Sequence, residues 1–416
     1  MVYSEQALGL VAYKVQSAKG SQASGAGAEV LRVAGGSGGQ YQRTAIPNPE
    51  VRQDAQASRG RLGSKTTQGA HDTVMSLGNV DTIFEALFRS TWGSADTVID
   101  DETAAMSSAT ISVASNVITA STGSWITAGF RVGDIIRESE GLLAASQDRN
   151  LRITALTATA MTVAPVDGVD LGDEAGPISA YTFTRPGRVL INAAAGAITK
   201  RYFTIEEYDI NIDGSEVYTD CVWSGANITM APDAMVMINP SWMGTGQFET
   251  LTGGSSPLFT SPSETTALAM EASQATIRIG SSTNIDLTGL EITIDTTPVA
   301  PPTINKDGIA ADVFQGSFRV SMNITMLRQD LLDVADLIAE TEQSLSIIIN
   351  EPDSAPEDFF SIFVPNFVFG TVDKSALSIE GGPRTQTINI PADLVGKDET
   401  GGAYDATTMK IQVSNS

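Results

Sequence analysis

The sequence offers few residues that could make or break a bond. His71 is the only histidine and Cys221 the only cysteine among 416 residues. A cysteine nucleophile needs a base beside it, so the two could work together only if the fold joined them. Cys221 lies in an alternating stretch, "VYTDCVWSGA", where a lone thiol is expected to be a small buried apolar residue. Zinc sites draw on several Cys or His ligands, which this chain lacks. Asp209, Asn211, Asp213, Gly214, Ser215 and Asp220 follow D-x-N-x-D-G with an acid at the twelfth place, close to a calcium loop. Such a loop needs a helix on each side and usually ends in Glu. Here the flanks alternate like strands and the last acid is the shorter Asp220, so a polar hairpin tip is expected. A calcium-dependent shift in melting temperature would decide between the two. Glu206 with Glu207, and Asp100 and Asp101 with Glu102, are carboxylate groupings of the kind used on glycosides. Aromatic residues, the usual sugar platforms, are only 6% of the chain. Acidic runs on so acidic a protein read as solvated surface. No catalytic, cofactor-binding or metal-binding residue is assigned, no cofactor is implied, and the chain is expected not to be an enzyme.

The elements that would position these residues are mostly strands. Hydrophobic residues make up 42% and charged residues 18%, enough for a packed core. The length suggests two or three domains. The net charge of -24 would repel nucleic-acid phosphates, which argues against groove reading of DNA or RNA. No apolar run approaches a membrane-spanning length, and the start lacks the pattern of a secretory signal. A soluble protein made in the cytoplasm is expected. Acidity is uneven: residues 1–71 carry eight basic residues against four acidic ones, so a basic arm could dock on an acidic neighbour.

Residues 1–45 contain "GSQASGAGAEV" and "GGSGGQ", a composition that predicts a flexible arm unless a partner orders it. Val80, Ile83, Phe84, Leu87 and Phe88 share one helical face, with Asn79 or Asp81 as candidate cap. Between 105 and 185, short Thr- and Val-rich runs such as "ATISVAS", "NVITAST" and "LRITALTA" predict an inserted small β-barrel. Three strands are expected across 198–243, then a linker over 246–266. A second set follows over 267–416, with one helix in "RQDLLDVADLIAETEQ" turning Leu331, Leu332, Ala335 and Ile338 inward, and Val334 as a further candidate. "ALSIEG" is also expected as a strand.

The two halves share an order of elements: a strand opening with Gly, one short helix, then antiparallel strands. The fold class expected is mainly β, two tandem β-sandwich domains each with one short helix, plus the insert. The first domain is expected over 46–104 and 186–245, the second over 267–416. "VRQDAQASRGRLGSKTTQGAHDTVMSLGNVDTIFEALFRSTW" and "KRYFTIEEYDI…VYTDCVWSGANITMAPDAMVMINPSWMG" resemble the major tail tube proteins of long-tailed, siphovirus-type bacteriophages. "GSWITAGFRVGDIIRESE" with "LRITALTATAMTVAPV" is similar to the small β-domain often inserted in them, and the C-terminal half resembles a second copy of the tube fold. The likeness covers most of 45–413 and is one of pattern and element order.

The resemblance implies self-assembly into stacked rings, three chains with pseudo-sixfold symmetry being favoured over six. It implies an acidic lumen through which double-stranded DNA passes transiently, and a place in the virion tail, assembled in the host cytoplasm. The implied partners are further copies of the chain, a tape measure protein, and tail terminator or tip proteins, with no membrane. The rival readings are another virion protein, such as a tail completion or decoration protein, and an Ig-like adhesin or surface protein, which would need export.

Overall fold

The computed structural model describes residues 5, 8–282, 285–304, 307–329, 331–351, 356–377, 379 and 381–414. The chain opens with strands β1 (Gly9–Val15), β2 (Glu29–Leu31), β3 (Val33–Ile46) and β4 (Arg61–Val74), then helix α1 (Asp81–Phe88). The insert follows with β5 (Thr97–Asp100), β6 (Ile111–Ala114), β7 (Val117–Ala120), a one-turn helix α2 (Trp125–Ala128), β8 (Ile135–Glu140), β9 (Leu151–Leu156), β10 (Ala160–Pro165), β11 (Glu174–Ile178) and β12 (Thr182–Arg185). The chain then forms β13 (Arg188–Ile191), β14 (Phe203–Asp209), β15 (Gly214–Met230) and β16 (Met237–Thr252). The second half holds β17 (Ala275–Ile279), β18 (Leu287–Asp295), β19 (Arg319–Leu327), helix α3 (Leu332–Ala339), β20 (Gln343–Glu351), β21 (Asp358–Phe367), β22 (Thr371–Lys374), β23 (Thr385–Ile390), β24 (Val395–Gly396) and β25 (Lys410–Val413). The protein is mainly β, as its alternating sequence predicts.

The long strand β15 organises the largest sheet. One of its edges pairs with β16 from end to end. Its other edge pairs with β14 through its first half and with β18 through its second. Eight strands therefore run unbroken and antiparallel in the order β3-β4-β16-β15-β18-β19-β23-β22. Alternation along these strands turns every second residue inward. Ile228, Ile238, Trp242, Ile292, Met322, Ile324, Ile388 and Ile390 all enter one core. The sheet β13-β25-β21-β20-β17 supplies Leu345, Ile347, Phe360, Ile362 and Val364 to the same core.

Helix α1 is buried where these layers meet. Ile83, Phe84, Leu87 and Phe88 are at most 2% exposed. At about 1.5–3 kcal/mol per large apolar side chain, those four contribute roughly 6–12 kcal/mol of hydrophobic stabilisation. Neither Asn79 nor Asp81 caps the helix; the cap position is Val80. The Asn79 amide is drawn away to donate to Thr73 Oγ1 and the Val74 carbonyl.

Several expectations give way to the structure. The Gly-rich start is folded from residue 8 onward, and residues 1–4 and 6–7 of the expected arm lie outside the described residues. β1 pairs with β14, and β3 pairs with β4. Gly39 of β3 and Gly69 of β4 serve close approach rather than slack: a side chain at Gly39 would stand 2.6 Å from the Tyr218 ring, and one at Gly69 2.6 Å from Trp242. The first third of the expected linker is strand, since β16 runs to Thr252. Its remainder is strapped to the first half, with the Glu206 carboxylate accepting the amides of Leu258 (2.6 Å) and Phe259 (2.9 Å). Most consequentially, Leu331, Leu332 and Ile338 of the second helix point to solvent, 64%, 68% and 79% exposed, and Ala335 is exposed too. Leu337 is the α3 side chain that packs on the core. With apolar residues around most of its circumference, "LLDVADLIA" gives no single inward face for a sequence pattern to find. The second half's outer strand is β22, and the expected strand "ALSIEG" falls partly on residues 378 and 380, which lie outside the described residues.

The insert curls into an eight-stranded sheet around Trp125, Phe130, Tyr181 and Phe183. It includes β5, so it starts before residue 105. It is anchored on the second half. Lys410, 2% exposed, places Nζ 2.5 Å from Asp134 Oδ1 of the insert and 2.6 Å from Asp405 Oδ2. The Gln412 amide accepts from the Ile135 N–H (2.8 Å) and donates to the Ile135 carbonyl (2.9 Å). β13, expected in the first domain, pairs with β25 at the chain's far end.

Candidate assembly interface

The residues with possible chemistry are placed apart. His71 lies on the core side of β4, and its Nε2 is 3.3 Å from Glu207 Oε1. Burial lowers its pKa to about 4, against a smaller opposing pull from Asp72. Cys221 is buried in β15, and burial pushes its thiol well above the ordinary range. A thiol so raised stays protonated and is a poor nucleophile. The residues with calcium-loop spacing form a β-hairpin between β14 and β15. Asp213 sits at its tip in the left-handed region, while Asp220 lies within the strand. Asp220 accepts from the Gly20 amide (2.7 Å) and the Gln247 side chain (3.0 Å) instead of turning back to the tip. Among the described residues no group of three His, Cys, Asp or Glu is placed to hold a metal. Glu206 is spent on the strap, and Asp100 accepts from Thr103 at 2.7 Å.

What the fold does assemble is a surface. Residues paired across neighbouring strands share a face, so the registers define lanes on the side of the eight-stranded sheet away from the core. One lane joins Thr371, Asn389, Asn323, Glu291 and Thr229. Another joins Ser321, Thr293, Asn227 and Asn239. These side chains bond to one another. Asn389 donates to Asn323 (2.6 Å), Asn227 to Glu291 (2.8 Å), and Asn239 to Asp72; the hydroxyls of Thr325 and Thr387 meet at 3.2 Å. The result is a ribbon of amides and hydroxyls crossing both halves of the chain. By the same alternation, the acids on this side of the sheet include Asp72, Glu291, Asp295 and Asp373. The base is Arg319, which is ion-paired with Asp393.

Among the described residues the sheet stops at β3 on one side and β22 on the other, each with a partner on a single edge. Unpaired strand edges invite another strand. Both carry some protection: β3 is kinked by register shifts around Gly36 and Gly38, and β22 is four residues long.

A family model described as "Phage tail tube protein" matches residues 7–392. The chain belongs to the phage tail tube protein family. It is therefore a structural component of a phage tail, and the adhesin reading falls away. No curated protein matches the chain. Among the described residues no helix is long and apolar enough to cross a membrane. The polar ribbon is what sequence reasoning missed in this family member. Its signal was present: Asn227-Ile228-Thr229 and Asn323-Ile324-Thr325 repeat one alternation, and Thr387-Ile388-Asn389 reverses it.

Proposed function

We propose that this chain is the subunit of a siphovirus-type tail tube and that each chain holds two copies of one tube domain. The order β1, β3, β4, α1, β14, β15, β16 has a counterpart in β17, β18, β19, α3, β20, β21 with β22, and β23. The pairings agree as well. β1 pairs with β14 as β17 pairs with β20, and β4 lies between β3 and β16 as β19 lies between β18 and β23.

The observation that carries the reading is the unbroken sheet with two open edges and one polar face. Within the chain, β15 joins β18 antiparallel where the two halves meet. In a ring, β22 of one copy meets β3 of the next in the same way. Three chains give pseudo-sixfold symmetry and twenty-four strands around the bore. The polar face then lines the bore. Its acids repel DNA phosphates and keep double-stranded DNA from adhering as it passes. Rings stack head to tail into a filament. A tape measure protein and terminator or tip proteins are the further partners, and assembly takes place in the host cytoplasm.

Negative-stain microscopy with native mass measurement tests this. The expected result is hollow tubes or rings with three chains per ring. A protein that stays monomeric at high concentration would sink the proposal, and six chains per ring would sink the pseudo-sixfold arrangement. Replacing Glu291, Asp295 and Asp373 by Lys should leave tubes intact and slow DNA ejection from particles carrying them; unchanged ejection would remove the acidic lumen from the mechanism.

A further inference from the structure

The two helices occupy matching places and differ in what covers them. Each follows the second strand of its half, α1 after β4 and α3 after β19. Each packs beside the strand that ends its half of the sheet, α1 beside β15 and α3 beside β22. Both are eight residues long and end in a left-handed residue, Arg89 and Glu340. Much of the cover over α1 comes from across the β15–β18 junction. Phe318, from the connection between β18 and β19, meets Phe88 in a tilted contact with ring centroids 4.9 Å apart, and Phe360 of β21 meets Phe84 at 5.7 Å. The second half thus closes over the first half's helix.

Among the described residues, no aromatic side chain meets α3 in the way Phe318 and Phe360 meet α1. Leu331, Leu332 and Ile338 are exposed, and a cavity of about 180 Å³ bounded by Ile279, Met326, Leu332 and Phe369 lies under the helix. These three apolar side chains lie within two turns of one short helix, and clustered exposed apolar residues mark an interaction surface. The pairing pattern names the occupant. The counterpart of the β18–β19 connection is the β3–β4 connection, and the next β3 in the ring belongs to another copy. That hairpin carries the matching chemistry. Ile46, Val51 and Leu62 are exposed, Val51 by 99%. Residues 33–65 include Arg43, Arg52, Arg59, Arg61 and Lys65 against Glu50 and Asp54. The α3 segment 331–342 holds Asp333, Asp336, Glu340 and Glu342 and no basic residue.

We propose that the apolar face of α3 is the seat for the β3–β4 hairpin of a second copy of this chain, with Ile46, Val51 and Leu62 closing over Leu331, Leu332 and Ile338. The basic hairpin and acidic helix select the partner's orientation. The proposal rests on the ring reading and adds a contact outside the strand ladder.

The test is the full chain carrying L332D and I338D, followed by circular dichroism, thermal melting and assembly. Both positions are exposed, so the monomer should fold and melt like wild type. The concentration needed for assembly should rise about tenfold or more, as expected for losing central apolar contacts. R59E with R61E should act in the same direction, more strongly at low salt. As a positive arm, L62C with I338C under mild oxidation should give disulfide-linked chains that neither single variant gives in the same heterotypic ladder. If wild type and L332D/I338D assemble alike and the cysteines fail to link, α3 serves another occupant and the inference is overturned while the ring reading stands. If wild type itself does not assemble, both fall.

Discussion

α1 and α3 are the same element in two settings, and the contrast between them separates folding from assembly. α1 has its apolar residues enclosed by its own chain, with Phe84 against Phe360 and Phe88 against Phe318. α3 spends Leu337 on the core, while Leu331, Leu332 and Ile338 are exposed. A repeated unit need not be satisfied twice within one polypeptide. One copy can complete the fold while the other keeps the same kind of face for a neighbour.

The strongest way to break this comparison is to shave both helices. Phe84→Ala should destabilise the monomer by about 3–5 kcal/mol, whereas Ile338→Ala should change it by no more than about 0.5 kcal/mol. Chemical denaturation of both variants checks this; equal losses would mean that α3 is as much a core element as α1.

A second contrast is electrostatic and belongs to the covered half. His71, beneath the sheet beside Glu207 and Asp72, has a folded pKa of about 4 against an ordinary 6.5. The unfolded chain takes up the proton first, so this site's contribution is complete above about pH 6.5. It is lost as pH falls towards 4 and is constant below that. The loss amounts to at most about 3 kcal/mol. The buried Glu138 of the insert, raised to about 7 chiefly by desolvation, works the other way. It adds relative stability as pH falls from about 7 to the unfolded carboxylate range. The difference in unfolding free energy between wild type and His71→Asn, followed from pH 7.5 to 4, isolates the histidine. A flat difference would mean that His71 is not held neutral.

A smaller effect sharpens the reading of the Gly-rich strand. Gly39→Ala pushes a methyl against the Tyr218 ring and should cost about 1–3 kcal/mol. Gly20→Ala meets no atom within 4 Å but sits at φ +78, so its cost is backbone strain of about 1 kcal/mol. A Gly39 variant milder than the Gly20 one would return β3 to the status of a loose arm.

Much of the first half could be read from the sequence. The expected strands near 203, 215 and 237 match β14, β15 and β16, and five apolar positions at helical spacing found α1. The misses share a cause. Composition reports how much apolar or small material a segment holds and is silent on what stands opposite it. "GGSGGQ" reads as slack until Tyr218 is seen over Gly39. "LLDVADLIA" reads as a core helix because so short a segment cannot show which of two apolar sides meets its own sheet. The ribbon was hidden for a similar reason. Asn227, Glu291, Asn323 and Asn389 are far apart in sequence, and only strand register makes them neighbours.

The anchoring of the insert has a consequence for any attempt to trim the protein. Lys410 is held by one carboxylate from the second half and one from the insert, and Gln412 depends on the Ile135 backbone for two of its bonds. Excising 97–185 would therefore do more than remove a surface ornament. It would strip an ammonium group of half its counter-charge and uncover the Phe363 side chain that now completes the insert's own interior. A shortened variant should be rescued by replacing Lys410 and Gln412 with apolar residues, and a foreign module grafted at this point would need to bring its own equivalent of Asp134.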